Sequence, residues 1–333
     1  MRRVVRFLVG VALGGGAVAG YLAFVGPSAV FDRVSAVSAA VLAVVALLVV
    51  IEGVVDGVGV WASMVPLGGL SPGRSVQFAL AGDFFDTLSP AGPVSSEPIM
   101  ARFFAVATGE GYSDALGVRA AAKYVKSGAQ LVVSLALGSV LLLGGSPPSA
   151  VVTTLGGALV VLVAVGAVLL GARRSVSAGL VAVLAPPITR LAARLGREVR
   201  RETVASAVER FWTRIVRFRD APRLVGLIAL GGAAEQVLTA TVLWVALEGA
   251  GVSVPLLPIL VVIPLPQAAS VVPIPASLGA YDLLVAGALT LAAGAPASAA
   301  AAAVLVVRTT RLPFALGAGG TAVAFLRGWR LGS

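Results

Sequence analysis

The chain contains neither cysteine nor histidine among its 333 residues. Their absence excludes disulfide bonds, thiol nucleophiles, imidazole bases, haem ligation by histidine and zinc sites built from these two residue types. The Gly-x-x-x-x-Gly-Lys-Ser/Thr string of P-loop proteins is absent as well, which argues against ATP binding of that kind. Any proton chemistry must use Asp, Glu, Lys, Arg or Tyr. No catalytic dyad stands out, so we expect neither an enzyme nor a cofactor.

Charged residues are scarce: they make up 12% of the chain, against about 25% in a typical soluble domain. Hydrophobic residues make up 58% and the mean hydropathy is +1.00, so most of the surface must face something other than water. We predict an all-α, polytopic helical membrane protein that forms a single transmembrane domain over 1–333. The net charge of +10 lies mainly between apolar runs, which is typical of topology signals and not of nucleic-acid binding.

Several apolar runs are long enough to cross a bilayer, which takes about 20 helical residues. They cover 4–25, 34–60, 116–143, 151–170, 224–247 and 297–316. Two shorter stretches, 255–272 and 280–293, raise the expected number of spans to about six to eight. The first run is either a retained helix or a signal peptide with a cleavage-like site at 17–19, and its length favours a retained helix.

Basic residues near the ends of spans indicate the cytoplasmic side. By this rule both termini and the segments 108–126 and 172–222 lie inside. The richness in Ala, Val and Gly suggests a prokaryote, so we expect the plasma membrane. Segment 172–222 is predicted to be helical, with leucines and arginines spaced as in an amphipathic helix on anionic lipid. An ordinary inside loop explains that segment equally well.

Two apolar stretches are interrupted by Pro/Gly-rich strings, at 88–97 and at 272–282. Non-helical backbone at membrane depth is tolerated only where it is buried in protein or lines a wet cavity. Such interruptions in corresponding parts of two halves of a chain point to a transport site. The residues expected at the helix breaks or hairpin tips are Pro90, Gly92, Pro93, Pro273, Pro275, Ser277 and Gly279.

A carboxylate ends each string, and a basic residue follows it 26 positions later: Glu97 precedes Lys123, and Asp282 precedes Arg308. The chain thus repeats the order of span, broken hairpin and charged span. The proposed parts are an N-terminal span in 1–33, a first half in 34–145, a connecting span and basic segment in 146–222, and a second half in 223–325. The first hairpin enters from the inside. The second enters from the outside unless its arms span fully, so the pattern indicates an inverted repeat.

The breaks also place helix N-termini beside the charges. Ser95 or Ser96 is a candidate N-cap for the first ascending half-helix, and Ser277 for the second. Helix N-termini carry free N–H groups and about half a positive charge, so two of them near the two basic residues predict a phosphate site. The two carboxylates then pair with the cations or gate the site. A pair of static structural salt bridges is the alternative.

Other acidic residues interrupt the apolar runs. Glu52 and Asp56 are one helical turn apart, and we expect them either at the headgroup level or as partners of Arg119 or Lys126. Three further acids lie within or beside apolar runs: Asp83, Asp86 and Glu235.

These motifs resemble, over nearly the whole chain, the flippase-like transmembrane domain of lysylphosphatidylglycerol synthases and of many stand-alone membrane proteins. That family has Leu-x-Pro-x-x-x-Gly-(Glu/Asp), a following Arg, and Glu-Arg on the next span. Here these places are taken by Leu88, Pro90, Glu97, Arg102 and Lys123. Its second pattern is Pro-x-x-x-Gly-Gly-x-Gly-x-x-Glu with an Arg on the last span. Here those places are taken by Pro273, Gly279, Asp282 and Arg308, so Ser-Leu-Gly replaces Gly-Gly-x-Gly and Asp replaces Glu. In the first pattern, Lys123 replaces the Arg of Glu-Arg.

The resemblance implies movement of a polar- or anionic-headed lipid between leaflets without ATP hydrolysis, such as an aminoacyl phospholipid or a polyprenyl-phosphate-linked glycan. Membrane lipids, anionic ones above all, are the expected partners, and a glycosyltransferase or lipid synthase is a further candidate. The residues expected to bind substrate are Glu97, Arg102, Lys123, Asp282 and Arg308. Two alternatives stay open: an ion- or proton-coupled transporter of a soluble solute, and a non-transporting assembly factor for such an enzyme.

Overall fold

The computed structural model describes residues 19–88, 93–144, 149–194, 198–265 and 280–327, together with Gly16. Within these ranges every regular element is a helix and no β-strand occurs, so the predicted all-α class is confirmed. The helices are α1 (19–25), α2 (Pro27–Ser35), α3 (Ala39–Met64), α4 (Pro72–Leu88), α5 (Pro93–Thr108), α6 (Tyr112–Leu143), α7 (Ser149–Gly171), α8 (Arg173–Arg194), α9 (Arg201–Arg217), α10 (Pro222–Gly249), α11 (Leu256–Val262), α12 (Ala280–Ala293), α13 (Ala297–Phe314) and α14 (Gly320–Ala324). Turns of 3₁₀ helix follow α3 (Val65–Leu67) and α9 (Phe218–Asp220), and a π-helical turn (Ala315–Gly319) joins α13 to α14.

Six of the described helices are long and apolar enough to cross a membrane. These candidate spans are Ala39–Leu67, Tyr112–Leu143, Val151–Gly171, Arg173–Arg194, Pro222–Gly249 and Ala297–Ala324. Their number lies at the lower end of the expected range, and the prediction of a polytopic membrane protein is confirmed. The predicted N-terminal span is described only at Gly16 and from residue 19 onward.

Helix α3 is the central wall of the bundle. Ser38 caps it, since its Oγ accepts a hydrogen bond from the backbone N–H of Val41 at 3.3 Å. Gly57 lets α4 approach closely, because a Cβ at this position would lie 2.6 Å from Val76 Cγ2. Helix α10 packs along another side of α3. Two apolar clusters result, one among α3, α10, α11, α12 and α13, and one among α3, α4, α5 and α6.

Helix α7 lies at the edge of the bundle. Its window of highest hydropathy is only 6% buried, and Val160, Val161 and Val168 expose about 60% of their surface. An apolar helix that is exposed on nearly every side is suited to lipid and not to water. Tyr124 of α6 connects the two helices, because its hydroxyl donates a 2.8 Å hydrogen bond to Leu162 O.

The first predicted break separates α4 from α5. Pro90 and Gly92 lie outside the described residues, and Pro93 is the first residue of α5. The prediction of Ser95 or Ser96 as N-cap is therefore wrong: both lie inside the first turn, because proline is well suited to a first helical position. Helices α4 and α5 pack on each other and on α6. The second break falls between α11 and α12, and the tip residues Pro273, Pro275, Ser277 and Gly279 lie outside the described residues.

Segment 172–222 is helical as predicted and contains α8 and α9, which pack against each other. Helix α8 is long and apolar enough to count as a candidate span, which the sequence analysis did not predict. Its first residue, Arg173, pairs with Glu209 of α9. Helix α9 in turn lies on the first turns of α6, where a Cβ on Gly117 would stand 2.5 Å from Phe211 O.

Arg214 holds α9 against the first turns of α6 and the 3₁₀ turn after α3. Its guanidinium donates to Asp114 Oδ1 at 2.6 Å, to Glu110 Oε2 at 2.8 Å and to Pro66 O at 3.0 Å. The hydrogen bond with Asp114 is the main reason why the pKa of Arg214 is raised above its ordinary value, so the side chain stays charged at any physiological pH.

Candidate functional site

Four charged residues lie in the middle of four different spans. Glu52, Lys126, Glu235 and Arg311 are each within two residues of the midpoint of their own candidate span. A charge at the bilayer centre costs roughly 3 kcal/mol unless it has a partner, so such residues normally pair or face a polar cavity. The four charges form two ion pairs, Glu52 with Arg311 and Lys126 with Glu235, which offset the cost of placing them in apolar helices.

Glu52 on α3 receives hydrogen bonds from two other spans. Arg311 Nη2 on α13 donates to Glu52 Oε2 at 2.5 Å, and Thr239 Oγ1 on α10 donates to Glu52 Oε1 at 2.5 Å. Arg311 Nη2 also lies 3.3 Å from Thr239 Oγ1. Both carboxylate oxygens are thus occupied, and three spans meet at one acid.

Lys126 on α6 lies between two carboxylates from different helices. Its Nζ is 2.8 Å from Asp56 Oδ1 on α3 and also pairs with Glu235 Oε2 on α10. Gly232 allows this approach, because a Cβ there would stand 3.0 Å from Lys126 Cγ. One cation therefore neutralises acids on two sides of α6.

Glu97 is the acid that follows the first break, and two residues one turn apart on α6 hold it. Arg119 donates from Nε to Oε2 at 3.0 Å and from Nη2 to Oε1 at 2.8 Å, which is the bidentate geometry that favours strong pairing. Lys123 Nζ lies 3.1 Å from Glu97 Oε1 and 3.9 Å from Asp86 Oδ2 of α4. Ser96 donates to the same aspartate. The hairpin α4–α5 is thus fixed to α6 by charge.

Asp282 follows the second break, and its partner is the arginine predicted for it. Arg308 donates from Nε to Oδ1 at 3.0 Å and from Nη2 to Oδ2 at 3.1 Å. The Arg308 guanidinium carbon also stands 5.8 Å from the centre of the Tyr281 ring, within the range of a cation–π contact. Both broken segments therefore end in an acid held by a bidentate arginine on the next long helix.

These groups form a chain of charges across the bundle, which we call the charged layer. Its members are Glu52, Asp56, Asp83, Asp86, Glu97, Arg119, Lys123, Lys126, Glu235, Asp282, Arg308 and Arg311. Asp83 forms no ion pair within the described ranges, and Asp86 lies one helical turn away from it on α4.

A narrow recess opens beside this layer between α3, α6 and α10. Asp56, Arg119, Lys123 and Lys126 line it with their charged side chains. Its remaining wall is built from small or aliphatic residues: Gly59, Val60, Ala122, Ile228, Gly231 and Gly232. Three cations on one face of α6 therefore border a polar opening at membrane depth, an arrangement that can hold an anion.

Comparison with known families identifies the family of this chain. The sequence model described as “Lysylphosphatidylglycerol synthase TM region” matches residues 7–319, which include the whole charged layer. The chain belongs to this family. No curated protein and no solved structure matches it.

Two of the contacts expected from the 26-residue spacing are present in the structure. The contacts of Glu97 with Lys123 and of Asp282 with Arg308 are present, at 3.1 Å and 3.0 Å. Arg102 lies on an exposed part of α5. The main partner of Glu97 was missed: Arg119 makes the bidentate pair, and its spacing of four residues before Lys123 on one helix face was the available signal.

Two expectations were open for the acids of α3, the headgroup level or a pair with Arg119 or Lys126. Glu52 lies at the middle of its span and not at the headgroup level. Its partner, Arg311, was not foreseen. The alternative expectation of a pair with Lys126 is correct for Asp56, at 2.8 Å. The family motifs lie at the two breaks, whereas Glu52, Glu235 and Arg311 of the charged layer lie on the long spans.

Proposed function

We propose that this protein is a lipid flippase-like transporter that moves a polar- or anionic-headed lipid between leaflets without ATP hydrolysis. In this proposal it is not an enzyme, and membrane lipids are its partners. It resides in the plasma membrane of a prokaryote with both termini inside. An aminoacyl phospholipid or a polyprenyl-phosphate-linked glycan fits the charge of the site.

The observation that carries the proposal is the mid-span position of four members of the charged layer: Glu52, Lys126, Glu235 and Arg311. A lipid headgroup that crosses a bilayer must pass the centre, where an isolated charge is most costly. A layer of fixed charges there replaces water for the headgroup, while the acyl chains remain in lipid. Structural ion pairs alone do not need a recess lined by three cations beside them.

Lys123 is the best candidate for the first headgroup contact. Its side chain is 37% exposed, against 12% for Arg119. Glu97 is already held by both nitrogens of Arg119, so Lys123 adds a third contact and can leave it without stranding the carboxylate. A phosphate that enters the recess then takes Lys123 as its counter-ion. This exchange avoids an unpaired charge at any step.

Arg308 offers a second cation at the other end of the layer. Its side chain is 25% exposed and that of Asp282 is 16% exposed, so the pair is accessible from one side. In the proposal Asp282 is the counter-ion of Arg308, as Glu97 is of Lys123. The headgroup binds one cation and then the other, and each acid pairs with its cation again after the headgroup has left.

The test is translocation of fluorescent lipids in proteoliposomes. Wild type is compared with Lys123→Gln, Asp282→Asn and Arg308→Gln, and with Arg223→Gln as a control that removes an exposed cation from the first turn of α10. We expect the three site variants to lose at least tenfold in rate and the control to match wild type. Equal rates for all five proteins, each eluting as a folded species, would remove the assigned site.

The same vesicles separate this proposal from its rivals. Uptake of a soluble anion by a protein that moves no lipid would favour a solute transporter. Absence of both activities in a folded protein would favour an assembly factor for a glycosyltransferase or lipid synthase.

A further inference from the structure

Polar side chains continue along α6 beyond the charged layer. Arg119, Lys123, Lys126, Gln130 and Ser134 follow one another at steps of four, three, four and four residues, so they lie on one helix face. At 1.5 Å per residue the row is about 22 Å long, most of the thickness of a hydrocarbon core. The last two members are almost fully buried, at 2% and 0% exposure. A membrane helix does not need such a row for its own stability.

Helices α10 and α11 supply the partners of the two buried residues. Gln130 Nε2 donates to Gly232 O at 3.2 Å. Gln236 Nε2 donates to Ser134 Oγ at 2.7 Å and to Leu260 O at 2.8 Å. We call this contact region, from Arg119 to Ser134 on α6 with α10 and α11 opposite, the polar seam.

Gln236 holds an acceptor that no described residue satisfies. The side chain is 1% exposed, and its Oε1 is buried without a hydrogen-bond donor among the described residues. The amide orientation is fixed, since Leu260 O only accepts and the nitrogen must face it. A buried acceptor left without a donor costs roughly 1–3 kcal/mol, so such atoms are normally met by water or by a ligand.

An apolar contact closes the seam at the Leu143 end of α6. Gly138 lies one turn beyond Ser134, and a Cβ there would stand 3.2 Å from both Val152 Cγ2 and Val261 Cγ1. The other end of the seam runs into the recess beside Lys123. The seam is thus connected to the charged layer on one side and sealed by aliphatic groups on the other.

We propose that the polar seam is the path by which the lipid headgroup leaves the charged layer, with Gln236 Oε1 accepting a hydrogen bond from it. This inference rests on the proposed function. It narrows the cargo, because an orphan acceptor selects a headgroup with N–H or O–H groups, while the cations of α6 select its phosphate. A headgroup with both, such as a glycerol, an amine or a sugar phosphate, fits the seam. The aliphatic contact at Gly138 is the barrier that parts when the headgroup exits.

Gln236 also ties α6, α10 and α11 together, and the experiment must separate that role from transport. The chain has no native cysteine, so single cysteines are unique labels. Ser134→Cys changes one atom in the seam. Val132→Cys is its matched control, two residues away on α6 and 52% exposed on the outer face of the bundle. Both are reacted with a charged, membrane-impermeant thiol reagent in proteoliposomes.

We expect Ser134→Cys to react at least tenfold faster than Val132→Cys, and more slowly when a short-chain phosphatidylglycerol is present. Equal, slow labelling of both would overturn the seam as a path. If Ser134→Cys is labelled but the wild-type protein moves no lipid, the seam is open to water and the proposed lipid transport is wrong. Failure of the seam and failure of the proposed function therefore give different results.

A second variant tests the acceptor itself. Gln236→Met keeps the length of the side chain and removes the amide. We expect it to slow phosphatidylglycerol, which has hydroxyl donors, at least fivefold relative to phosphatidylcholine, which has none. A purely structural role predicts that both lipids slow equally, and that result would overturn the contact with the headgroup.

Discussion

Arg311 donates a 2.5 Å hydrogen bond to Glu52, although 259 positions separate the two residues in the chain. The contact joins the first long span of one proposed half to the last long span of the other. We expect Glu52→Gln to destabilise the folded protein by about 3 kcal/mol, because it leaves Arg311 charged and poorly paired at mid-span. Thermal unfolding in detergent measures the change.

The matched control for this pair is the double variant Glu52→Gln with Arg311→Met. Removal of both charges is expected to recover most of the lost stability, since a neutral pair needs no counter-ion. A double variant that is less stable than Glu52→Gln alone would contradict a simple ion pair.

Removal of the charge of Asp83 is expected not to destabilise the protein, in contrast to removal of the charge of Glu52. Asp83 forms no ion pair in the part of the chain that the structure describes, and Asp86 lies one helical turn away on the same helix. We predict that Asp83→Asn is at least as stable as wild type, because an amide at this depth carries no charge to be neutralised. Asp56→Asn is the comparison, and it is expected to lower the unfolding temperature because it weakens the hold on Lys126. Equal losses for both variants would show that Asp83 has a cationic partner.

Two glycines on α3 make a steric test of the α3–α4 contact. A Cβ on Gly57 would lie 2.6 Å from Val76 Cγ2 and 2.9 Å from Val76 Cα, whereas a Cβ on Gly59 meets nothing within 4 Å. Gly57→Ala is expected to cost about 2 kcal/mol through overpacking. Gly59→Ala is expected to be neutral or to stabilise by up to about 1 kcal/mol, since alanine favours a helix. Denaturant titration of both variants measures the free energy of unfolding, which should fall for Gly57→Ala and stay equal or rise for Gly59→Ala.

Arg214 is predicted to hold α9 in place without supporting the membrane core. Arg214→Gln loses hydrogen bonds to two carboxylates and one carbonyl, so the free energy of local opening of α9 should fall by about 2 kcal/mol. Amide hydrogen exchange in α9 should then be roughly 30-fold faster, while exchange in α3 and α10 stays unchanged. Arg217→Gln, an exposed neighbour, should leave exchange in α9 as in wild type.

The fold class followed from the sequence because the relevant signal is local. Long apolar runs with few charges can hardly be anything but spans, and α3, α6, α10 and α13 lie where those runs predicted them. Helix ends were less predictable. Ser95 or Ser96 was the expected N-cap of the first ascending half-helix, whereas α5 begins at Pro93, a residue well suited to a first helical position.

Only some contacts of the candidate site could be predicted from the sequence, because the others join residues that are far apart in the chain. Asp282 and Arg308 were found because motif and spacing both lie on one stretch of chain. Glu52 and Arg311 are brought together only by the packing of α3, α10 and α13, and no local pattern records that contact. What the sequence does contain is the depth of each charge, since counting residues from both ends of a span places Glu52 and Arg311 at the same level. Charges at equal depth are candidates for pairing.

The lysine held between α3 and α10 has a mechanical consequence. Because Lys126 touches both Asp56 and Glu235, either helix can swing outward while the ammonium keeps one acid beside it. Outward movement of either helix would therefore leave the lysine paired and not bare in hydrocarbon.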